Sequence, residues 1–335
     1  MAADWKCRSR SIAFAALGLI LFLVLAGASY EAIAKALDAH RFPEPGRLVD
    51  IGGFKLKINC TGKGSPTVVL EAGLGDFINQ WKQVQPQIAT FSRVCSYDRA
   101  GYGGSDAGPM PRTSSRIAEE LHALLKSAGE APPYLLVGSS FGGFNVRVFN
   151  GRYPNEVAGM LLVDATEEDQ YRLLPKAWNA IGAAMLERYE SQARWSPLYI
   201  GLGIPRVLLR LRGIRPSGSV LQSKYLKARA SELEQIQVSA EQARAAGTMG
   251  DKPLIVLTAG KMSDASLSGG LSARDLDAYQ ETWTNDLQMR LTRLSSRGKR
   301  VLVSNSGHDI PSEHPDAVVE AVRHLCSMIR RLQQQ

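Results

Sequence analysis

The five residues Gly138-Ser139-Ser140-Phe141-Gly142 set a serine between two glycines, each one residue removed. In a chain with 31 glycines the pentad alone is weak evidence. Its surroundings sharpen it. The apolar stretch Leu135 to Val137 leads in as a strand, and helical spacing follows Gly142. A strand that turns at once into a helix brings two backbones too close for flanking side chains, and it presents the central hydroxyl at a strained turn. Ser140 is therefore the candidate nucleophile. A serine hydroxyl attacks poorly at neutral pH without a neighbouring base. Of the five histidines, His122 and His324 fall in helical patterns, His40 precedes the first strand and His314 reads as a helix start. His308 follows a strand and Gly307 in the late loop "NSGHDIP", and it is the candidate base.

An imidazole used in this way needs an acid to fix its tautomer and stabilise its charge. Asp164 closes the strand "MLLVDA", and Asp264 stands in the loop "GKMSDAS". A carboxylate at a strand end is rigidly placed, which favours Asp164, with Asp264 as the alternative. Two backbone N–H groups must face the oxyanion that forms on attack. Phe141, directly after the serine, supplies one, and Leu74 in the glycine-rich "AGLGD" is expected to supply the other.

The elements around these residues alternate. "RLVDIGGFKLKINC" reads as a hairpin around Gly52-Gly53. "PTVVLEAG" and "RVCSYDRAGYGGSD" are strands running into glycine-rich loops, and "NQWKQVQPQIATF" between them has helical spacing apart from its proline. "SSRIAEELHALLKSAG" is a helix closed by Gly129. After the serine come the strand "VAGMLLVDA", about 85 residues without a clear strand, and the strand "PLIVLTAG". A helix-like "LDAYQETWTNDLQMRLTRLSS", the strand "KRVLVS" and a last helix from Pro315 complete the chain. Strands alternating with helices predict a mostly parallel sheet covered on both faces. Within the long insertion, "WSPLYIGLGIPRVLLRLRG" is apolar but punctuated by arginine. It is expected to pack on the body, to line an apolar pocket or to touch a membrane surface.

The formal charge is +8, but the basic residues are dispersed among 32 acidic ones and form no run interleaved with aromatics. Nucleic acid is not an expected partner. At the N-terminus, Lys6, Arg8 and Arg10 precede an uncharged apolar run from Ile12 to Ala28. A cationic flank before such a run directs export with the N-terminus left inside. The run spans about 26 Å as a helix, marginal against a hydrocarbon core of about 30 Å. "AGA" at 26–28 also fits a cleavage site, so an uncleaved anchor, slightly preferred, and a removed signal are both open. Either places the bulk of the chain outside the cytoplasm. Cys60, Cys95 and Cys326 would then lie in the exported part, an odd count that allows at most one internal disulfide.

From about residue 46 the chain resembles an α/β-hydrolase fold enzyme, on "VVLEAGLGD", "YDRAGYGGSD", "GSSFGG" and "SGHDIP" together. The resemblance implies a three-layer α/β fold with a mostly parallel eight-stranded sheet, a helical lid after the sixth strand and no cofactor or metal. Residues 46–165 and 252–335 would form the core, 166–251 the lid, and 1–45 the export or anchor segment and spacer. It implies cleavage of an apolar carboxylic ester through an acyl-enzyme, with amide, thioester or carbon–carbon hydrolysis and perhydrolysis as related chemistries. A silent binding protein on the same fold is the alternative outside catalysis. The chain departs from the family pattern at Ala72 and Ser139, where histidines are usual, and at "GKMSD", where the acid usually stands. Some relatives carry the acid after the sixth strand, at the position Asp164 occupies. In the implied sheet the second and fourth strands are neighbours, so Cys60 and Cys95 are expected to form a disulfide.

Overall fold

Strands buried on both faces read as nearly continuous apolar runs, and four short runs of this chain supply them. They are β3 (Thr67–Glu71), β5 (Tyr134–Ser139), β6 (Val157–Val163) and β7 (Leu254–Ala259), at the centre of an eight-stranded sheet. The sheet is completed by β1 (Arg47–Asp50), β2 (Lys55–Thr61), β4 (Val94–Asp98) and β8 (Gly298–Val303), in the order β1-β2-β4-β3-β5-β6-β7-β8. Only β2 runs against its neighbours. The computed structural model describes residues 2–41, 45–214, 220–261 and 271–334.

Alternate strand residues divide the core. Val69, Leu136, Leu162 and Val256 point to one side, against α3 (Ser114–Ala128), α4 (Gly142–Arg152) and α9 (Ile236–Ala245). Val68, Leu135, Leu161 and Ile255 point to the other, against α2 (Gln85–Ile88) and the C-terminal α13 (Pro315–Leu332). This is the three-layer arrangement the alternating elements predict. Between β6 and β7 the chain inserts α5 (Gln170–Leu173), α6 (Lys176–Gly201), α7 (Ile204–Leu211) and α8 (Ser223–Glu234), followed by α9.

The structure departs from the sequence reading in three places. The helical stretch expected over "NQWKQVQPQIATF" is broken into a single 3₁₀ turn, Ile78–Trp81, and the short α2, because Pro86 cannot sit inside a helix and opens a new one instead. The helix read over "LDAYQETWTNDLQMRLTRLSS" is α10 (Ala273–Glu281) and α11 (Gln288–Thr292), joined by a π-helical segment, Thr282–Leu287. The N-terminal helix α1 runs unbroken over Ala2–Arg41, so the expected polar spacer continues the helix. Its Ile12–Asp38 portion is long and apolar enough to cross a membrane, and the 17-residue run is only the uncharged part of it.

Cys60 and Cys95 face each other in the β2–β4 register and are joined by a disulfide, with their Cα atoms 4.1 Å apart. Cys326 is a buried free thiol. Closing a 35-residue separation contributes about 2–4 kcal/mol. Reduction under native conditions is therefore expected to lower the melting temperature by roughly 3–7 °C, and an unchanged melting curve would contradict the bond.

Candidate active site

The turn after β5 leaves no room for side chains on either side of Ser140. A Cβ on Gly138 would lie 2.6 Å from Val146 Cγ2, and one on Gly142 would lie 2.7 Å from the carbonyl oxygens of Glu71 and Ala72. Ser140 itself has φ +50°, a left-handed conformation that costs a non-glycine residue energy. The surrounding bonds over-determine it. The Ser140 amide donates to Val163 O, and its carbonyl accepts from the amides of Gly143 and Thr166 and from Thr166 Oγ1. The strain is thereby held, and the hydroxyl stands at the carboxyl end of the sheet.

His308 arrives from the loop between β8 and α12 (Ile310–Glu313). Its Nε2 lies 2.9 Å from Ser140 Oγ, and its Nδ1 lies 2.6 Å from Asp164 Oδ2. The Asp164 carboxylate can only accept, so Nδ1 carries the proton and Nε2 is left to accept from the serine. Asp164 is almost fully buried and, like Ser140, has a positive φ, +42°. Its other oxygen accepts from the Ala259 amide and from Trp283 Nε1, each at 2.9 Å. Trp283 lies in the π-helical segment, and its ring meets that of His308 edge to face. The sequence reading assigned Trp283 no role, and only a tryptophan amid polar neighbours pointed to it. The alternative acid, Asp264, lies outside the described residues.

Phe141, after the serine, and Leu74, in the loop after β3, carry the expected oxyanion donors. Among the described residues neither amide has a protein acceptor. The loop lies against the serine, since a Cβ on Gly73 would be 3.4 Å from Ser140 Cβ. At two of the three departures from the family pattern, Ala72 gives its carbonyl to Arg99, and Ser139 Oγ accepts from Gln80 Nε2. Gln80 also accepts from the Gly73 amide, so one glutamine joins the loop to the turn.

Arg99, from "YDRAGYGGSD", fixes the loop from behind. Its Nη1 donates to Ala72 O at 2.7 Å and its Nη2 to Gly73 O at 2.8 Å. A trans peptide points its C=O and N–H in opposite directions, so gripping the Gly73 carbonyl sets the direction of the Leu74 N–H. The remaining guanidinium bonds go to Glu71 and, in two places, to Glu232 of α8. All three side chains are buried, and Tyr97, Asn145 and Tyr102 complete the carboxylates' hydrogen bonds. Burial pushes the Glu71 pKa up despite the opposing charge of Arg99. In the sequence, a cation between a buried strand and a glycine loop is the available signal for Arg99. Glu232 gives none.

Desolvation disfavours a charged His308. The hydrogen bond and charge of Asp164, with Asp309 and Asp76 nearby, outweigh it and hold the pKa above the ordinary 6.5. A histidine titration by NMR should find His308 protonating above pH 6.5 in the native chain, and at lower pH in Asp164→Asn. A native value at or below 6.5 would contradict the pairing.

Comparison with known proteins agrees with this architecture. The family model described as alpha/beta hydrolase fold matches residues 66–259. An AB hydrolase superfamily protein from Gibberella zeae is 25% identical over 289 residues, covering 79% of this chain and 87% of that protein. Among solved structures, the enol-lactonase of Burkholderia xenovorans superposes with a TM-score of 0.58 at 18% identity, over 84% of this chain and 100% of that one. A mutant of a putative epoxide hydrolase from Pseudomonas aeruginosa gives 0.62 at 18% identity, over 87% and 98%. The chain belongs to the alpha/beta hydrolase fold family.

Proposed function

We propose that the protein is a serine hydrolase that cleaves carboxylic esters through an acyl-enzyme. The observation that carries this reading is the continuous hydrogen-bonded line from Ser140 Oγ through His308 to Asp164. His308 Nε2 takes the serine proton as Oγ attacks the ester carbonyl carbon. The oxygen that becomes negative is bound by the Phe141 and Leu74 amides, a kind of stabilisation worth about a hundredfold or more per donor. Collapse breaks the carbon–oxygen bond, and the imidazolium returns the proton to the leaving alcohol. Water then repeats the sequence and releases the acid. Asp164 stabilises the imidazolium in both halves. The chemistry calls for no metal or cofactor.

A lactone is a cyclic ester, so the resemblance to an enol-lactonase fits this reading. The resemblance to a putative epoxide hydrolase fits less well: opening an epoxide by a serine alkoxide would leave an ether that water does not cleave. Residues 46–165 and 252–335 form the catalytic body on this reading, and 166–251 a lid over an apolar substrate. Tyr225 of α8 supports the lid assignment, since its hydroxyl donates to Gly75 O in the oxyanion loop. Residues 1–45 would anchor the enzyme through α1, with the catalytic domain outside the cytoplasm, where the Cys60–Cys95 disulfide is stable.

Ser140→Ala should reduce turnover of a short-chain aryl ester by about a millionfold while leaving the melting temperature nearly unchanged. A loss of only a fewfold would defeat the assignment. The acid limb of kcat/KM should follow His308: because the base must be neutral, the rate falls as pH drops through a pKa above 6.5. Arg99→Lys removes the fork that grips two carbonyls at once, so kcat should fall roughly 10- to 100-fold with little change in KM. A change confined to KM would show that Arg99 does not position the oxyanion donor.

A further inference from the structure

The corner of the insertion formed by α6 and α7 is built inside out. On α7, Ile204, Val207, Leu208 and Leu211 are all exposed, Leu211 to 80%. Their spacing of three, four and seven residues puts them on one face. The opposite face carries Arg206, which is 1% exposed. A helix on a water-soluble body turns its apolar face inward. Here the charged residue turns inward and the apolar face turns out. Trp195 and Leu198 of α6, and Ile214 just after α7, are exposed as well.

The inward face is closed by α1. Arg206 donates to both oxygens of Glu31, at 2.8 and 3.1 Å, and also to Asp38. Lys35 Nζ stands 3.7 Å from Glu31, so the four charges cancel. The backbones are in direct contact. A Cβ on Gly27 would lie 2.7 Å from Leu202 O, and one on Gly203 would lie 2.9 Å from the Tyr30 ring. The corner therefore sits at a fixed height on α1, beside the point where its uncharged run gives way to Glu31. The side chains of α1 before that point, from Ile12 to Leu25, include many exposed large apolar ones. Arg210, with its guanidinium 5.7 Å from the Tyr30 ring centre, and Arg212 are exposed at the same corner. Apolar face outward, cations at its edge and aromatics alongside are what a helix lying in a bilayer interface presents.

We infer that the α6–α7 corner is a second membrane contact, lying in the headgroup and acyl boundary of an anionic bilayer that α1 crosses. The inference rests on the reading of α1 as an uncleaved anchor. It adds that the insertion does not move freely on a tether. Ala193 and Ile200 of α6 pack with Tyr225 of α8 and with Phe77 beside the oxyanion loop, so one packed unit joins the lipid surface to the rim of the site.

The test uses the full chain, with Cys7→Ser, reconstituted in nanodiscs of phosphatidylcholine and phosphatidylglycerol. Nitroxide labels are attached in turn to Phe22→Cys in α1, Leu208→Cys and Leu211→Cys in α7, and Val238→Cys, an exposed position on α9. Collision of each label with oxygen, which concentrates in lipid, is compared with collision with a water-soluble nickel chelate. The expected result is a several-fold preference for oxygen at 208 and 211 over 238, with the strongest preference at 22. If 22 lies in lipid while 208 and 211 are as accessible to nickel as 238, the anchor stands and the second contact is refuted. If 208 and 211 are shielded from both reagents, another protein surface or a second copy covers the face, and the inference fails. Nickel access at 22 as well would remove the anchor and the contact together.

Discussion

A carboxylate taken out of water must find its hydrogen-bond donors in the protein, and Asp164 is nearly fully buried at the open end of the sheet. It finds three: the Ala259 amide of β7, the Trp283 indole of the π-helical segment, and His308 Nδ1 from the loop after β8. Much of the local architecture follows from satisfying this one charge. The end of β7 must run level with the end of β6. The helix before β8 must carry an extra residue in one turn to aim an indole at the sheet, a use of π-helical geometry common at functional sites. The loop after β8 must return over the sheet, which brings His308 Nε2 within 2.9 Å of Ser140. The imidazole is oriented because the acid has no other way to be satisfied.

On the far side of Ser140 a second buried charge performs a matching task. Arg99 is held between Glu71 and Glu232, and its remaining N–H groups hold two carbonyls of the loop after β3. A buried ion network of this kind adds little net stability, because desolvation offsets much of the attraction. Its value here is geometric. The guanidinium fork is rigid, so the peptide it grips cannot rotate away from the serine. Glu232 also carries the insertion into the network, which means that α8 and the loop after β3 share one set of hydrogen bonds.

Much of the site was legible in the sequence because its residues stand at points of punctuation. Ser140 sits between glycines that steric contact makes obligatory, His308 follows a strand and a glycine, and Asp164 closes an apolar strand. Such residues announce themselves by type and by local pattern. The supporting residues do not. Glu232 is 133 positions from Arg99, and Trp283 is 119 from Asp164, on helices whose local sequence would suit a solvated surface. Their meaning exists only once the topology brings the elements together. The N-terminal segment shows the converse. Its apolar run was plain, but the charges that follow, Glu31 and Asp38, read as a polar spacer until Arg206 supplied their partner.

The central claim is that Ser140 becomes covalently acylated. The most direct measurement is intact-protein and peptide mass spectrometry after rapid acid quench of the enzyme turning over an activated ester. The account predicts the mass of one acyl group, confined to the peptide carrying Ser140 and absent when His308 is replaced by glutamine. Turnover in water enriched with heavy oxygen that instead placed the label in the Asp164 carboxylate, with no acyl group on Ser140, would contradict it.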